Sequence, residues 1–394
     1  MPMQSNGKCC MDKPQTFDTV VAGAGVAGIS ACLAAAEMNM RVALVEKEPV
    51  IGGTARDCFH THMAGLFQNR PETPFAPANR GLSFETYQHL LHTLGNQALI
   101  RMGRVTVMAF DSPALWGYFE DRLEKSSVSF FTESEITGMQ SAGNRIVSVQ
   151  TEEKKNNGRT LTAKTFIDAT GNAVLSRLFS KENAILKEKD RQLSGYCIEV
   201  SGDFQEDITL KIPYTARKIV DRNGMNPYLA FVTTSRNEFS KTRVIKFSLL
   251  KDRETAECEM IFEQLRQEIP ELGEAAVLRR SKQVHPRGAL LPGGRAVLGG
   301  PSCDQDCRAR SFWPSEFWDV KKGPRYRYPD AGCCFCIRPD HVTSAASDNL
   351  FFGGKSISAT PAAQASVRVM GVCMATGELA AQCAAESVRE QNKT

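Results

Sequence analysis

The chain has 394 residues, of which 42% are hydrophobic and 23% charged, and a formal net charge of +4. That length exceeds the roughly 250–300 residues one hydrophobic core usually serves, so two domains are expected. The small net charge gives no reason to expect nucleic acid as a partner, and no run of about 18 apolar residues predicts a membrane span.

The opening stretch MPMQSNGKCCMDKPQ has no apolar segment of the kind a secretory leader carries, and residues 1–16 read as a flexible tail. A cytoplasmic location follows as the expectation, with the thirteen cysteines mostly reduced. The stretch from Asp18 to Glu46 then reads as strand, glycine turn, helix and strand. Val20, Val21 and Ala22 form a short apolar strand, and Gly23, Gly25 and Gly28 complete G-x-G-x-x-G. The first glycine turns the chain, the second lets backbone approach a pyrophosphate, and the third allows close helix–strand packing. An Ala-rich helix starts near Val26 and ends near Asn39, a residue that tolerates the left-handed conformation. Arg41 to Val45 form the second strand, and Glu46 stands eighteen residues past the last glycine, placed to accept from a ribose hydroxyl. Strand, turn, helix, strand and acid in this order predict dinucleotide binding.

A glycine loop at Gly52-Gly53-Thr54 follows, then CFHTHMAGLF at 58–67 with two histidines. Pro71, Pro74 and Pro77 make the next segment irregular. Helices are predicted over Gly81–Leu99 and from Asp111-Ser112-Pro113, the latter with Leu115, Phe119 and Leu123 on one face. Short β-like pieces at 128–131, 136–137, 145–150 and 159–164 suggest an antiparallel meander. Residues 165–172 read as a strand ending in a polar turn. The pattern from Gln192 to Leu250 is strand-rich, Ala256–Ile269 is helical, and Ser311–Tyr328 fits no period and reads as loop. Asn349-Leu-Phe-Phe-Gly-Gly is a strand and glycine turn, and Thr360-Pro361 opens a long helix with Thr as N-cap.

The fingerprint at 18–46, GGTA at 52–55, IDATG at 167–171 and NLFFGGKSISATPAAQASVRVMGVCMATGELAAQCAA toward the end occur in an order that resembles the FAD-dependent oxidoreductases with a glutathione-reductase-type FAD domain. The group related to the fumarate-reductase flavoproteins and the aromatic hydroxylases is the most similar. The resemblance covers residues 17–180 and 330–388 well and the middle in outline. It implies an α/β fold: a Rossmann-like FAD-binding domain (βαβ with a three-layer ββα sandwich) from 17–185 and 331–388, and an inserted, mainly β substrate or cap domain at 186–330. It also implies roles for single residues. Gly23, Gly25 and Gly28 would meet the pyrophosphate, Glu46 with Lys47 beside it the adenosine ribose, and Gly52, Gly53 and Thr54 the flavin side. Asp168 and Gly171 fall in the second FAD motif, and Gly353 and Gly354 in the third, where Lys355 stands in place of the acid common in the superfamily. The N-terminus of the helix from 361 would favour a reduced, anionic flavin.

His60 and His62 are candidate proton carriers beside the flavin, or else hydrogen-bonded structural histidines; non-covalent FAD is expected. Arg287 suits a substrate carboxylate, or packs between domains, and Phe312, Trp313, Phe317 and Trp318 offer a pocket wall. Cys303, Cys307, Cys333, Cys334 and Cys336 lack zinc spacing, so no metal is expected; buried thiols are favoured over a redox pair. No second G-x-G-x-x-G lies between Gly171 and Gly353, so no dedicated NAD(P)H domain is evident. The expected function is FAD-dependent oxidation or reduction of a small organic molecule at the domain interface, as a dehydrogenase or oxidase. The alternatives are a flavin monooxygenase, a halogenase (whose W-x-W-x-I-P signature is absent), and a non-catalytic FAD-stabilised scaffold or tRNA-binding protein. The oligomeric state is left open.

Overall fold

A computed structural model describes residues 15–153, 158–180, 192–287, 293–304 and 306–393. The expected tail therefore lies almost wholly outside the described residues, as does the expected boundary at 185/186.

Strand β1, Gln15–Ala22, lies inside the main sheet, pairing in parallel with β2, Val42–Val45, on one side and with Thr160–Asp168 on the other. Strand Leu350–Phe352, more than 180 residues further on in sequence, adds in parallel to Thr160–Asp168. The apolar, buried residues at their ends, 20–22, Val42–Val45, 166–167 and Leu350–Phe352, explain this: a parallel strand covered on both faces has no polar side. Registers fix the consequence. Ala22 lies opposite Val45 and Asp168, and Phe352 opposite Asp168. All four strands thus end at one level, and the GAGVAG turn, Glu46, the ATG turn and the GGK turn leave the same sheet edge, where ligands bind in open α/β sheets.

Helix α1, Val26–Glu37, is buried nearly all round because it lies between this sheet and the helix Met370–Gln391. Its alanines allow the approach, and so does Gly377, where a Cβ would stand 2.0 Å from the Ala27 carbonyl oxygen. Asn39 ends the turn after the helix at φ 60°. Strands Ser134–Ala142, Arg145–Glu153 and Thr160–Asp168 make the antiparallel meander. The piece Ser129–Phe131, expected in that meander, instead pairs in parallel with β2. Buried Asn349 ties the parallel and antiparallel parts: its side chain donates to the carbonyls of Ile146 and Lys164 and accepts from the Ile146 N–H.

A second, separate core surrounds an antiparallel sheet ordered Thr233–Arg236, Thr242–Leu249, Ser194–Ser201, Ala276–Arg280. One face, carrying Ile198, Val200, Ile245, Phe247 and Leu249, packs on the helices Ile208–Arg222 and Thr255–Glu268. The helix at 208–222 replaces the strand expected there. Pro213 reads as a breaker, yet Ile208, Ile212, Ala216, Ile219 and Val220 recur every three to four residues and are all buried. Burying these apolar side chains, at about 1.5–3 kcal/mol for each large one, outweighs the ~3 kcal/mol a helical proline costs.

Three further expectations change. Within the supposed loop Ser311–Tyr328, Ser315–Asp319 and Gly323–Arg327 form a hairpin whose Trp318 enters the second core, closed at Gly323 with φ 71°. The long C-terminal helix is two: Pro361–Val367, capped by the Thr360 hydroxyl, which accepts from the Ala363 N–H, and Met370–Gln391 after a break. Lastly, four of the clustered cysteines are joined, Cys303 to Cys333 and Cys307 to Cys336, instead of being thiols. Strand pairing of 309–311 with 335–337 and the Ser302–Cys334 bridge bring these chains together, with Cα separations of 4.1 and 5.1 Å. Cys334 alone of the five keeps its thiol and is buried.

Candidate active site

A cavity of about 460 Å³ opens at the common edge of the parallel strands and runs to the second sheet. Four turns of the main sheet line its first half, through Gly23, Gly25, Glu46, Gly53, Thr170, Gly171 and Gly354. The glycines divide by what surrounds them. A Cβ on Gly28 would lie 1.8 Å from the Gly23 carbonyl oxygen, so Gly28 is a packing glycine and does not line the cavity. Gly25 would meet nothing within 4 Å, so a side chain there would stand in the cavity itself. The helical N–H groups following Gly25 face the same space, a site suited to an anion. Gly52 and Gly53, at φ 112° and 50°, shape the second loop, and a Cβ on Gly53 would come within 3.2 Å of the Gly25 Cα.

Glu46 is buried at the end of β2. Its carboxylate accepts from the N–H groups of Ala24, at 2.6 Å, and Glu48, at 2.9 Å, and so holds the glycine turn while facing the cavity. Burial pushes its pKa up, against those two hydrogen bonds. Lys47 also lines the cavity and donates to Gln283.

Asp168 is placed differently from the other predicted residues. It is fully buried, does not line the cavity, and accepts from the Thr170 N–H and hydroxyl and from the N–H groups of Leu175 and Ser176. Its oxygens are used to build the turn and to cap the helix Val174–Phe179. Gly353 likewise packs, against Gly377 and Ala27, while its neighbour Gly354 lines the cavity.

The second half of the cavity is cationic. Lys246, Arg287, Lys355 and Arg368 converge there with His60. Alternation along Thr242–Leu249 explains Lys246: Ile245 and Phe247 point to the second core and Lys246 to the other face. Arg287 is buried, donates from Nη1 to the carbonyls of Leu193 and Ser194, and lies 4.1 Å from the ring centroid of Trp318. Burial and nearby Arg368 bring its pKa down to about 10. Among the described residues, Arg287 Nη2 and Arg368 Nε are buried without an acceptor.

The two histidines separate. His60 lines the cavity, its pKa pushed well down by burial and then by Lys246, His285, Arg368 and Arg287. His62 does not line it; its Nδ1 meets the Thr61 hydroxyl and its Nε2 lies 3.7 Å from Glu238. The cavity also joins Thr54 of the flavin-side loop, Lys355 of the third motif and His285, two residues before Arg287, with Asp57, which sequence reading leaves unassigned. His285 Nε2 lies 2.5 Å from Asp57 Oδ2 and its Nδ1 3.2 Å from the Thr54 hydroxyl, which also accepts from Lys355 Nζ at 3.5 Å. Thr54 and Asp57, three apart on the short helix Gly53–Asp57, share one face. Of the two C-terminal helices, Met370–Gln391 reaches the cavity through Met370 and Cys373, and the helix expected to serve, from 361, contributes none of its residues to the lining. No group of three or more potential metal ligands occurs among the described residues.

A sequence profile described as FAD dependent oxidoreductase matches residues 18–282 and 304–394. A fumarate reductase (cytochrome) from Shewanella frigidimarina is 54% identical over 41 residues, which make up 10% of this chain and only 7% of that protein. Among solved structures, a geranylgeranyl bacteriochlorophyll reductase-like protein from Thermoplasma acidophilum is similar at 11% identity and a TM-score of 0.55, over 97% of this chain and 81% of that one. The flavin-dependent brominase Bmp2 is similar at 12% identity and 0.52, over 95% and 80%. A flavoprotein/dehydrogenase from Cytophaga hutchinsonii is similar at 11% identity and 0.51, over 95% and 79%. At these identities the likeness is one of fold.

Proposed function

The chain belongs to the FAD dependent oxidoreductase family, and from that premise we propose that it oxidises a small anionic organic molecule, as a dehydrogenase or oxidase, in the cationic half of the cavity. The residues fit FAD: Gly25 leaves room where a side chain would intrude, the start of α1 offers N–H groups to a pyrophosphate, and Glu46 faces the same space. Gly52, Gly53, Thr54, Gly171 and Gly354 would hold the rest. When bound, FAD supplies a two-electron acceptor. The protein supplies position and charge. The second sheet acts as the cap, and Arg287 and Arg368 orient the substrate.

One observation carries the substrate class. Two guanidinium groups border the same cavity, each with a buried N–H lacking an acceptor among the described residues. Buried polar groups in proteins are nearly always satisfied, and a carboxylate is the acceptor that suits a guanidinium best. His60, held neutral by its surroundings, is available to accept a hydrogen bond from the substrate. His62 lies away from the cavity and is assigned a structural role against Glu238.

Anaerobic mixing of the FAD-loaded protein with paired substrates tests this. Hydroxy and amino acids should bleach the flavin, and their neutral amide or alcohol counterparts should not. Bleaching by NADH or NADPH alone would overturn the dehydrogenase reading in favour of a monooxygenase or reductase, since no dedicated nicotinamide domain is evident in the sequence.

A further inference from the structure

We propose that Lys355, Thr54, His285 and Asp57 form a proton path from the interior of the cavity to its outer edge. Ionised Asp57 selects the Nε2–H tautomer of His285, and the hydrogen bonds then run in one direction. Lys355 Nζ donates to the Thr54 hydroxyl at 3.5 Å, the hydroxyl donates to His285 Nδ1 at 3.2 Å, and His285 Nε2 donates to Asp57 at 2.5 Å. Lys355 also donates to the Pro286 carbonyl at 3.2 Å, which fixes its amine beside this chain. The far end is more open: the Asp57 side chain is 18% exposed, against 7% for His285. Three separate segments converge to make the path, and His285 is held in register by paired backbone hydrogen bonds with Gly195.

The groups are poised for transfer. Burial lowers the pKa of Lys355, with Cys373 and Cys58 opposing that and Arg368 adding to it, so its amine gives up a proton more readily than a surface lysine. Burial also lowers His285, helped by Lys355 and Lys47 and opposed by Asp57. For Asp57 burial acts upward, but the bonds from His285 and from the Lys282 and Gln283 backbone win, and it stays ionised. The ammonium of Lys282 pairs with Glu48 close by.

This inference rests on the oxidoreductase reading of the cavity. Oxidation of an alcohol or amine, with bound flavin taking the hydride equivalent, releases one proton from the heteroatom. The Lys355 ammonium passes one of its own protons to Thr54 and takes up the released proton in its place. Thr54 passes its hydroxyl proton to His285 Nδ1, and the imidazole passes its Nε2 proton to Asp57 and on to water. The imidazole is left with its proton on Nδ1, and the same transfers run in reverse, from water through Asp57, restore the first tautomer when the cavity next takes up a proton. A purely structural clamp would need only the Asp57–His285 bond. The path needs the Thr54 hydroxyl too.

The test follows the His285 ring nitrogens by NMR in the full chain, labelled at histidine and titrated with pH, with His285→Gln for assignment. His285 should hold the Nε2–H tautomer, and its Nδ1 signal should register the titration of Lys355. Lys355→Met and Thr54→Val should abolish that response while Nε2–H stays bonded to Asp57, and Thr54→Ser should restore it. A Thr54→Val curve identical to wild type, or an Nδ1–H tautomer, would overturn the proposal. Dye-reported proton uptake during anaerobic photoreduction of the FAD-loaded protein should slow at least about tenfold in Thr54→Val and recover in Thr54→Ser; an unchanged rate would overturn it. Failure of the wild-type protein to retain FAD would refute the reading of the cavity instead, with the NMR result still deciding the path.

Discussion

Gly171 and Lys355 occupy adjoining space: a Cβ on Gly171 would stand 2.7 Å from Lys355 Cε. The glycine of the ATG turn thus does two things. It adopts φ 71°, and it leaves room for an aliphatic stem that brings an amine into the cavity. Gly171→Ala should therefore cost about 1–3 kcal/mol, from left-handed backbone strain plus displacement of the lysine. Adding Lys355→Ala should recover part of the loss, measured by denaturant midpoints. Equal midpoints for the single and double variants would show that strain alone operates.

Gly25→Val and Gly28→Ala should fail in opposite ways. Gly25 has φ −69°, which any residue adopts, and empty space where a side chain would go, so its valine variant should fold and lose FAD. Gly28→Ala places a methyl 1.8 Å from a backbone oxygen and should lose more than about 2 kcal/mol of stability before binding is even asked of it. Melting curves read together with flavin absorbance of the gel-filtered protein separate the two.

How much of this was legible beforehand follows from the range of the interactions. The β1–α1–β2 unit, Glu46, the capped helix at Asp111 and the final strand were readable because turns, caps and apolar runs are local. Asp168 was assigned to the cofactor because it sits in the motif, but its carboxylate serves Leu175 and Ser176, a use that only the fold of the next helix reveals. The Asp57–His285 pair spans 228 residues and belongs to no motif, so nothing along the chain announces it. Helix 208–222 is the exception: its apolar period is present in the sequence, within a stretch that reads as strand-rich as a whole.

Stability should fall as pH drops below about 6.5, with His60 as one source. Burial holds His60 well below, and His285 below, the ordinary value of 6.5. The unfolded chain therefore binds more protons than the folded one in this range. The stabilising contribution is complete above pH 6.5 and is lost as pH falls toward the folded pKa, by up to about 1.4 kcal/mol per pH unit for each histidine. Glu46 and Glu378, raised by burial, act in the opposite sense from a starting value of 4.5. His60→Asn should flatten the dependence of melting temperature on pH between about 6.5 and 5; a parallel curve would place the charge change elsewhere.

Arg287→Leu should weaken binding of simple carboxylates, followed as perturbation of the flavin spectrum, by about tenfold or more. A charge-assisted hydrogen bond contributes about 1.5–3 kcal/mol, and tenfold in Kd is about 1.4. The same variant leaves the Leu193 and Ser194 carbonyls without their donor, so some stability should be lost too. Arg287→Lys should recover charge but not the stacking on Trp318, and should fall between.

The cysteine pairs give the last prediction. Cys303–Cys333 and Cys307–Cys336 span 30 and 29 residues and interlock, since 307 lies inside the first loop and 336 outside it. Closing a loop of that size reduces unfolded-state entropy by the equivalent of about 3–4 kcal/mol for the first bond. The second adds less, because the first already confines the same chain. Peptide mapping without reductant should recover these two pairings, with Cys334 alkylated only after unfolding. Reduction should lower the melting temperature of the wild type, and Cys303→Ser with Cys307→Ser should give the lowered value with or without reductant. The cavity should be unaffected, since none of these cysteines lines it, so FAD content should not change. Loss of flavin on mild reduction would instead tie these loops to the arrangement of the active site.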